Sequence, residues 1–304
     1  SFKCFFYSHP EDAIEFLCEI LNYDIEKLKC SHTQELEKIK VVVDGNEITL
    51  LGNDYMWREY RGNNYQSHVR ESLLMTFEKW MMDSIKNNND SAKYALSRER
   101  LLTVFDIVYK KCYNVSAWGV LASVATRFPI FVGMKAMPIY SCRDFILWDK
   151  TRLSAELMSP TISPYASKNV QKEVADSYKL AHRKQDLEGM ILRMSMTKGF
   201  ADEFRKLVKH LKETATTYLE KVSAGRMDIA QYEIIGKTDK GVILQGSPSE
   251  DIKEEAAQNE AFSNQFNKIL SVGNLSRTRY DEDSEQVIDE WREAYCLHKD
   301  QDSV

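Results

Sequence analysis

Glycine and proline are scarce in this chain: 12 and 6 among 304 residues. That scarcity argues against a sandwich or barrel rich in tight turns, and for long helices. Long apolar runs are missing too. The longest uncharged stretch in the most apolar region runs from Cys112 to Thr126, and Arg127, Pro129 and Lys135 interrupt the chain beyond it. It is too short to span a bilayer, so no membrane association is expected. No basic segment leads into an apolar one near the start, and no signal peptide is read there. The first residue is Ser1, not Met, which suggests a chain trimmed, tagged or cut from something longer.

Motifs of chemistry are absent as well. The six cysteines, at 4, 18, 30, 112, 142 and 296, form no Cys-x-x-Cys pair, and the six histidines form no His-x-x-x-His pair. Cys18, Cys30 and His32 fit no zinc spacing, and Cys18 falls on the apolar side of a helix. Reduced cysteines in apolar patterns behave as small hydrophobes, so a reducing, cytoplasmic compartment is expected. No Pro-Asp is followed by Glu-x-Lys, and there is no Gly-x-Ser-x-Gly elbow and no glycine-rich phosphate loop; Gly225, Gly236, Gly241 and Gly246 punctuate turns. A site whose residues converge only in the fold stays open. The expectation is no catalytic residue, no metal and no cofactor.

The chain does hold ordinary globular material: 43% hydrophobic, 29% charged and 11% aromatic residues. Ser8 to Asn22 reads as a helix opened by a Ser8–Glu11 capping box, with Ala13, Ile14, Leu17 and Leu21 on one side. Ile39 to Leu51 reads as a hairpin about Asp44-Gly45-Asn46. Helices are expected over 69–85, from Leu101 into an apolar centre at 115–140, over 167–193 and over 200–222, where Phe200, Phe204, Leu207, Leu211, Ala215, Tyr218 and Val222 keep helical register. A second hairpin is expected over 232–245, then helices over 250–270 and 282–298. The charge-free Ser159–Pro164 reads as a linker. The expected architecture is mainly α and two-lobed, with one or two small β-hairpins and a C-terminal helical arm. An N-terminal lobe covers 1–158, a linker 159–166, a C-terminal lobe 167–270 and the arm 271–304. In that arm Val287, Ile288, Trp291 and Tyr295 form an apolar stripe suited to docking on a second copy.

The net charge of −5 conceals an uneven layout. Residues 1–90 carry 10 basic and 16 acidic side chains, 91–152 carry 10 and 4, 178–226 carry 11 and 6, and 250–304 carry 6 and 14. Two basic stretches thus flank the expected linker, as a cleft tracking a phosphate backbone would require. Arg98, Arg100, Lys110, Lys111, Arg127, Lys135, Arg143 and Arg152 are the candidates from the first stretch. Arg183, Lys184, Arg193, Lys198, Arg205, Lys206 and Lys209 are those from the second. Tyr113, Trp118 and Tyr140 are candidates for base stacking. Solvated helix faces would produce the same charge pattern.

Three short blocks resemble nucleoproteins of segmented negative-strand RNA viruses, in particular the plant emaraviruses. They are Asn114-Val115-Ser116 with the apolar run to Phe128-Pro129, then Thr151-Arg152-Leu153-Ser154, then Gly199-Phe200 with Phe204. Thr151 and Ser154 stand where the family has Asn and Ala. The resemblance implies a helical two-lobed fold that holds single-stranded RNA in a basic cleft without sequence specificity and forms homo-oligomers through terminal arms. The alternative is a helical protein-interaction module or a non-catalytic fragment of a larger, viral polymerase-like assembly.

Overall fold

The computed structural model describes residues 2–31, 36–62, 68–86, 91–158, 172, 176, 179–238 and 241–246. The fold is mainly α with two small antiparallel hairpins. One compact unit runs from Ser1 to Met227 and a second from Asp228 to Val304.

The first unit is organised around α6, Val115–Arg127, whose residues from Val115 to Thr126 are all buried. A helix apolar all round belongs inside a core, and this one carries no charge before Arg127. Asn114 starts it. Its Oδ1 accepts from the Ser116 amide at 2.9 Å, while its Nδ2 donates to the Leu21 carbonyl at 2.9 Å. One side chain thus caps α6 and ties it to α2, Pro10–Ser31. The hairpin β1, Glu37–Val43, and β2, Asn46–Gly52, joins the same end, because the Leu51 amide donates to the Tyr113 carbonyl at 2.7 Å. Its turn has φ 48° at Asp44 and 80° at Gly45, the left-handed pair that a two-residue hairpin loop needs.

Around α6 lie α1, Phe2–Ser8; α3, Asp54–Trp57; α4, His68–Lys86; α5, Ser91–Lys111; α7, Pro129–Val132; α8, Met137–Tyr140; and α9, Arg143–Met158. Gly119 lets α3 come close: a Cβ there would lie 2.2 Å from the Trp57 carbonyl oxygen. Trp57 stacks on Phe145 with ring centres 4.4 Å apart, and Trp118 packs against Tyr109 at 4.7 Å and Phe145 at 5.9 Å. The later helices α10, Leu187–Met194; α11, Ala201–Glu213; and α12, Tyr218–Met227 add Leu187, Met190, Ile191, Phe204 and Leu207 to that same core. The boundary between compact units therefore falls after Met227. The expected linker, the helices over 250–270 and 282–298, and the stripe Val287, Ile288, Trp291 and Tyr295 lie outside the described residues.

Five helix boundaries differ from expectation: α5 starts at Ser91 and not at Leu101, and the other four follow from local bonds. Ser8 does not open α2. It closes α1, its hydroxyl donating to the Cys4 carbonyl at 2.9 Å. Nor does α2 end at Asn22, whose Nδ2 donates to the Lys111 carbonyl at 2.7 Å and whose Oδ1 accepts from the Tyr113 amide at 3.1 Å. The helix expected through 193 is broken at Gln185–Asp186, where Asp186 accepts from the Gly189 amide and starts α10. The one expected over 200–222 is broken at Thr214–Thr217. Thr217 Oγ1 accepts from the Glu220 amide at 3.2 Å, and Glu220 Oε2 accepts from the Thr217 amide at 3.3 Å, a capping box that starts α12.

In the second unit, Asp228 caps a single 3₁₀ turn, Ile229–Gln231. The hairpin β3, Tyr232–Thr238, and β4, Gly241–Gly246, comes next, with a register shift between Ile234 and Gly236.

Candidate nucleic-acid interface

The structure sorts the basic and aromatic candidates into distinct environments. Trp118 and Tyr140 are fully buried and stack no base; they belong to the core. Tyr113 is half-buried, with its hydroxyl donating to Glu26 at 3.1 Å.

Arg152 and Arg183 are corrections of a different kind. Both are buried in an ion network and present no guanidinium to solvent. Arg183 donates to Glu78, which also accepts from Ser123 and lies 3.6 Å from His182 Nε2. Arg61 pairs with Glu156, and Arg152 bridges Asp149 at 2.7 Å and Glu156 at 3.0 Å. Arg152 also donates to the carbonyls of Arg183 at 3.3 Å and Gln185 at 2.6 Å. Lys150 lies 3.0 Å from Asp186, and Arg226 makes two 2.7 Å bonds to Glu188. Five cationic and five anionic side chains balance within the network. Burial raises the Glu78 carboxyl, but Arg183, His182, Arg61 and Ser123 outweigh it and hold it down to about 2. Burial lowers His182, with Glu78 only partly opposing. These charges fix the 182–188 segment against α4 and α9.

A further group is exposed or half-exposed but already matched. Lys111 pairs with Glu15 at 2.6 Å, Lys135 with Asp106, Lys206 with Glu203 at 2.7 Å, and Lys209 with Glu213 at 3.8 Å. Arg143 donates to the Leu211 carbonyl at 2.9 Å and to Thr214, and lies 3.6 Å from Glu220. Arg100, Lys110, Lys184 and Lys198 are exposed.

Four arginines are left: Arg98, Arg127, Arg193 and Arg205. They come from α5, α6, α10 and α11, and all are exposed. Among the described residues none pairs with a carboxylate. Three of them are anchored on the backbone. After Arg127 the chain turns by 107° between α6 and the segment Pro129–Tyr140. A helix that stops there leaves carbonyls without amide partners. Arg193 Nη2 donates to the Thr126 carbonyl at 3.3 Å, and Arg98 Nε to the Phe131 carbonyl at 3.1 Å. Arg205 Nε in turn donates to the Ser195 carbonyl, where α10 ends, at 3.1 Å. Arg127 lies over the Phe128 ring, 5.3 Å from its centre. Each guanidinium has five N–H donors, so most remain available to a ligand. Partial desolvation lowers Arg193, and the Arg127 charge lowers it further, with Tyr140 opposing; the two guanidinia therefore feel each other.

Ile130 and Met134 stand on the same bend, 62% and 42% exposed. The sequence pattern hides them because they sit in the apolar run. Gly133, with φ 59°, takes a conformation that disfavours side chains, and a Cβ there would come within 3.2 Å of the Phe200 ring. That glycine brings the Phe200 segment against the bend. The two basic stretches do not meet across one groove: Arg98 belongs to this corner, but Arg183 is buried, Arg143 is engaged with α11 and α12, and Lys206 is paired.

Among the described residues no cluster of three or more His, Cys, Asp or Glu could hold a metal ion. No single described helix is long and apolar enough to cross a membrane. No protein-family model matches the chain, and no curated protein matches it.

Proposed function

We propose that the chain is a nucleoprotein that binds single-stranded RNA in the cytoplasm without sequence specificity, seats phosphates at the Arg98–Arg127–Arg193–Arg205 corner, and assembles with copies of itself through terminal segments. One observation carries the reading: exposed guanidinia from distant parts of the chain are anchored on backbone carbonyls around the ends of α6 and α10, beside Arg127, and among the described residues none of them pairs with a carboxylate. Phosphate is the partner such groups fit, in bidentate geometry. Ile130 and Met134 between them offer apolar contact to unstacked bases. The blocks that resemble emaravirus nucleoproteins have structural work here. Asn114 caps α6, Arg152 lies in the buried network, and Phe204 is core. Affinity would then come from side chains outside those blocks. A second reading, a helical interaction module in a larger assembly, draws on a separate feature, the aromatic outer face of α2.

The test is salt-dependent anisotropy with a labelled oligouridylate. Each phosphate contact on a single strand contributes about 0.7 to the slope of log K against log salt. Arg127→Ala with Arg193→Ala should lower the slope by about 1.4, while Lys206→Ala, already paired, should change it little. A slope unaltered by the double substitution refutes the corner as the phosphate seat.

A further inference from the structure

The outward face of α2 has a pattern of its own. Asp12, Phe16, Glu19, Tyr23 and Glu26 succeed one another at spacings of four, three, four and three, and all are exposed. Ala13, Ile14, Leu17, Cys18, Leu21 and Ile25 bury the opposite face. Spacings of three and four place all five on one face of the helix, and that face alternates carboxylates with aromatic rings. Phe16 is 47% and Tyr23 60% exposed, and Tyr7 of α1 adds a third ring, 50% exposed. Phe5 stands edge-on to Phe16 with ring centres 6.3 Å apart, which holds the Phe16 ring in place at the surface.

Two of the carboxylates are lightly committed. Glu26 pairs with Lys29 at 2.7 Å and accepts from Tyr113, but Asp12 has only His9 at 4.0 Å among the described residues. Glu19 has no cation among the described residues. Lys27 shows what the surface accepts: its Nζ sits over the Tyr23 ring, 4.5 Å from the centre. An ammonium on an aromatic face beside carboxylates is a cation–π seat with a counter-charge. Lys27 therefore stands in for the side chain of a partner.

We propose that this stripe docks a basic amphipathic helix of another protein, its Lys or Arg side chains falling on the Phe16 and Tyr23 rings and on Asp12, Glu19 and Glu26, its apolar residues between them. Charge decides the occupant. A second α2 would set carboxylates against carboxylates, which disfavours self-pairing. The stripe is also set apart from the arginine corner. Its neighbour Glu15 binds Lys111, at the far end of α5 from Arg98, and thirteen residues of helix span about 20 Å. RNA and the basic helix would then occupy different regions of one unit.

The probe is a synthetic helix of about three heptads with Lys and Leu at alternating seam positions, titrated into the full chain by anisotropy. One-to-one binding that weakens with salt is expected. Asp12→Lys with Glu19→Lys should weaken it about tenfold or more, and so should Phe16→Ala with Tyr23→Ala. Lys27→Ala bares the Tyr23 ring and should tighten binding. A peptide with Glu in place of Lys should not bind. Failure of the wild type to bind, unchanged binding by both double variants, or weaker binding by Lys27→Ala would each overturn the proposal. So would a wild-type dimer that Asp12→Lys with Glu19→Lys dissolves, since the occupant would then be a second copy.

Discussion

Replacing Glu78 by Gln tests whether the buried network holds the first unit together. Gln keeps the volume and one acceptor oxygen of Glu78, so it mimics the protonated carboxyl. The fold holds that carboxyl at about 2, against an ordinary 4.5. The drop corresponds to about 3 kcal/mol in favour of the ionised form. Loss of one partner of a buried ion pair costs about 3–5 kcal/mol, which agrees. Urea unfolding at pH 7 should therefore show Glu78→Gln about 3 kcal/mol less stable than wild type.

The pH dependence adds a second constraint. The folded value lies below the unfolded one, so the Glu78 contribution is present above 4.5 and is lost as pH falls toward 2. The difference between wild type and Glu78→Gln should shrink over that window and vanish near its lower end. A difference under about 1 kcal/mol at pH 7, or one that does not change with pH, would refute the reasoning. Arg183 belongs to the same experiment. Read from sequence as a phosphate ligand, it acts in the fold as the partner of Glu78, and its loss is a loss of stability.

Close packing and capping give two further outcomes. Gly119→Ala drives a methyl to 2.2 Å from the Trp57 carbonyl oxygen and should cost about 2–3 kcal/mol or more in urea, as rigid overpacking does; a loss below about 0.5 kcal/mol would mean that α3 and α6 separate freely. Thr217→Ala removes the acceptor for the Glu220 amide and should cost about 1 kcal/mol, with no effect on RNA affinity; a stability unchanged in thermal melts would mean that α12 does not depend on its cap.

Local chemistry was legible where it was sufficient. Asp44-Gly45 announced a hairpin because only a left-handed pair closes so short a loop. Phe204, Leu207 and Leu211 announced α11 because their spacing matches its buried face. Capping boxes were harder. Ser8 and Glu11 have the right spacing, yet α1 runs up to Ser8 and takes its hydroxyl. Thr217 and Glu220 also have it, but Ala215, Tyr218 and Val222 carry the apolar register across the break and mask the signal. The fate of the arginines was not legible, because their partners are distant: Phe131 lies 33 residues from Arg98, Thr126 67 from Arg193, and Glu78 105 from Arg183.

The chemistry of those distant partners decides what each arginine does. A carboxylate cancels the guanidinium charge, and the pair can then leave water if its remaining donors are met. Arg61, Arg152 and Arg183 took that course. A carbonyl offers a dipole and no net charge. It can orient a guanidinium but cannot make its burial tolerable, so the group must stay in contact with solvent or with an anion. Arg98, Arg193 and Arg205 are anchored on carbonyls, two of them at helix ends, and all three remain exposed. The bend after Arg127 anchors two of them, since it leaves the Thr126 and Phe131 carbonyls where α10 and α5 can reach, and the end of α10 anchors the third. A positive surface is thus produced by the way α6 and α10 end.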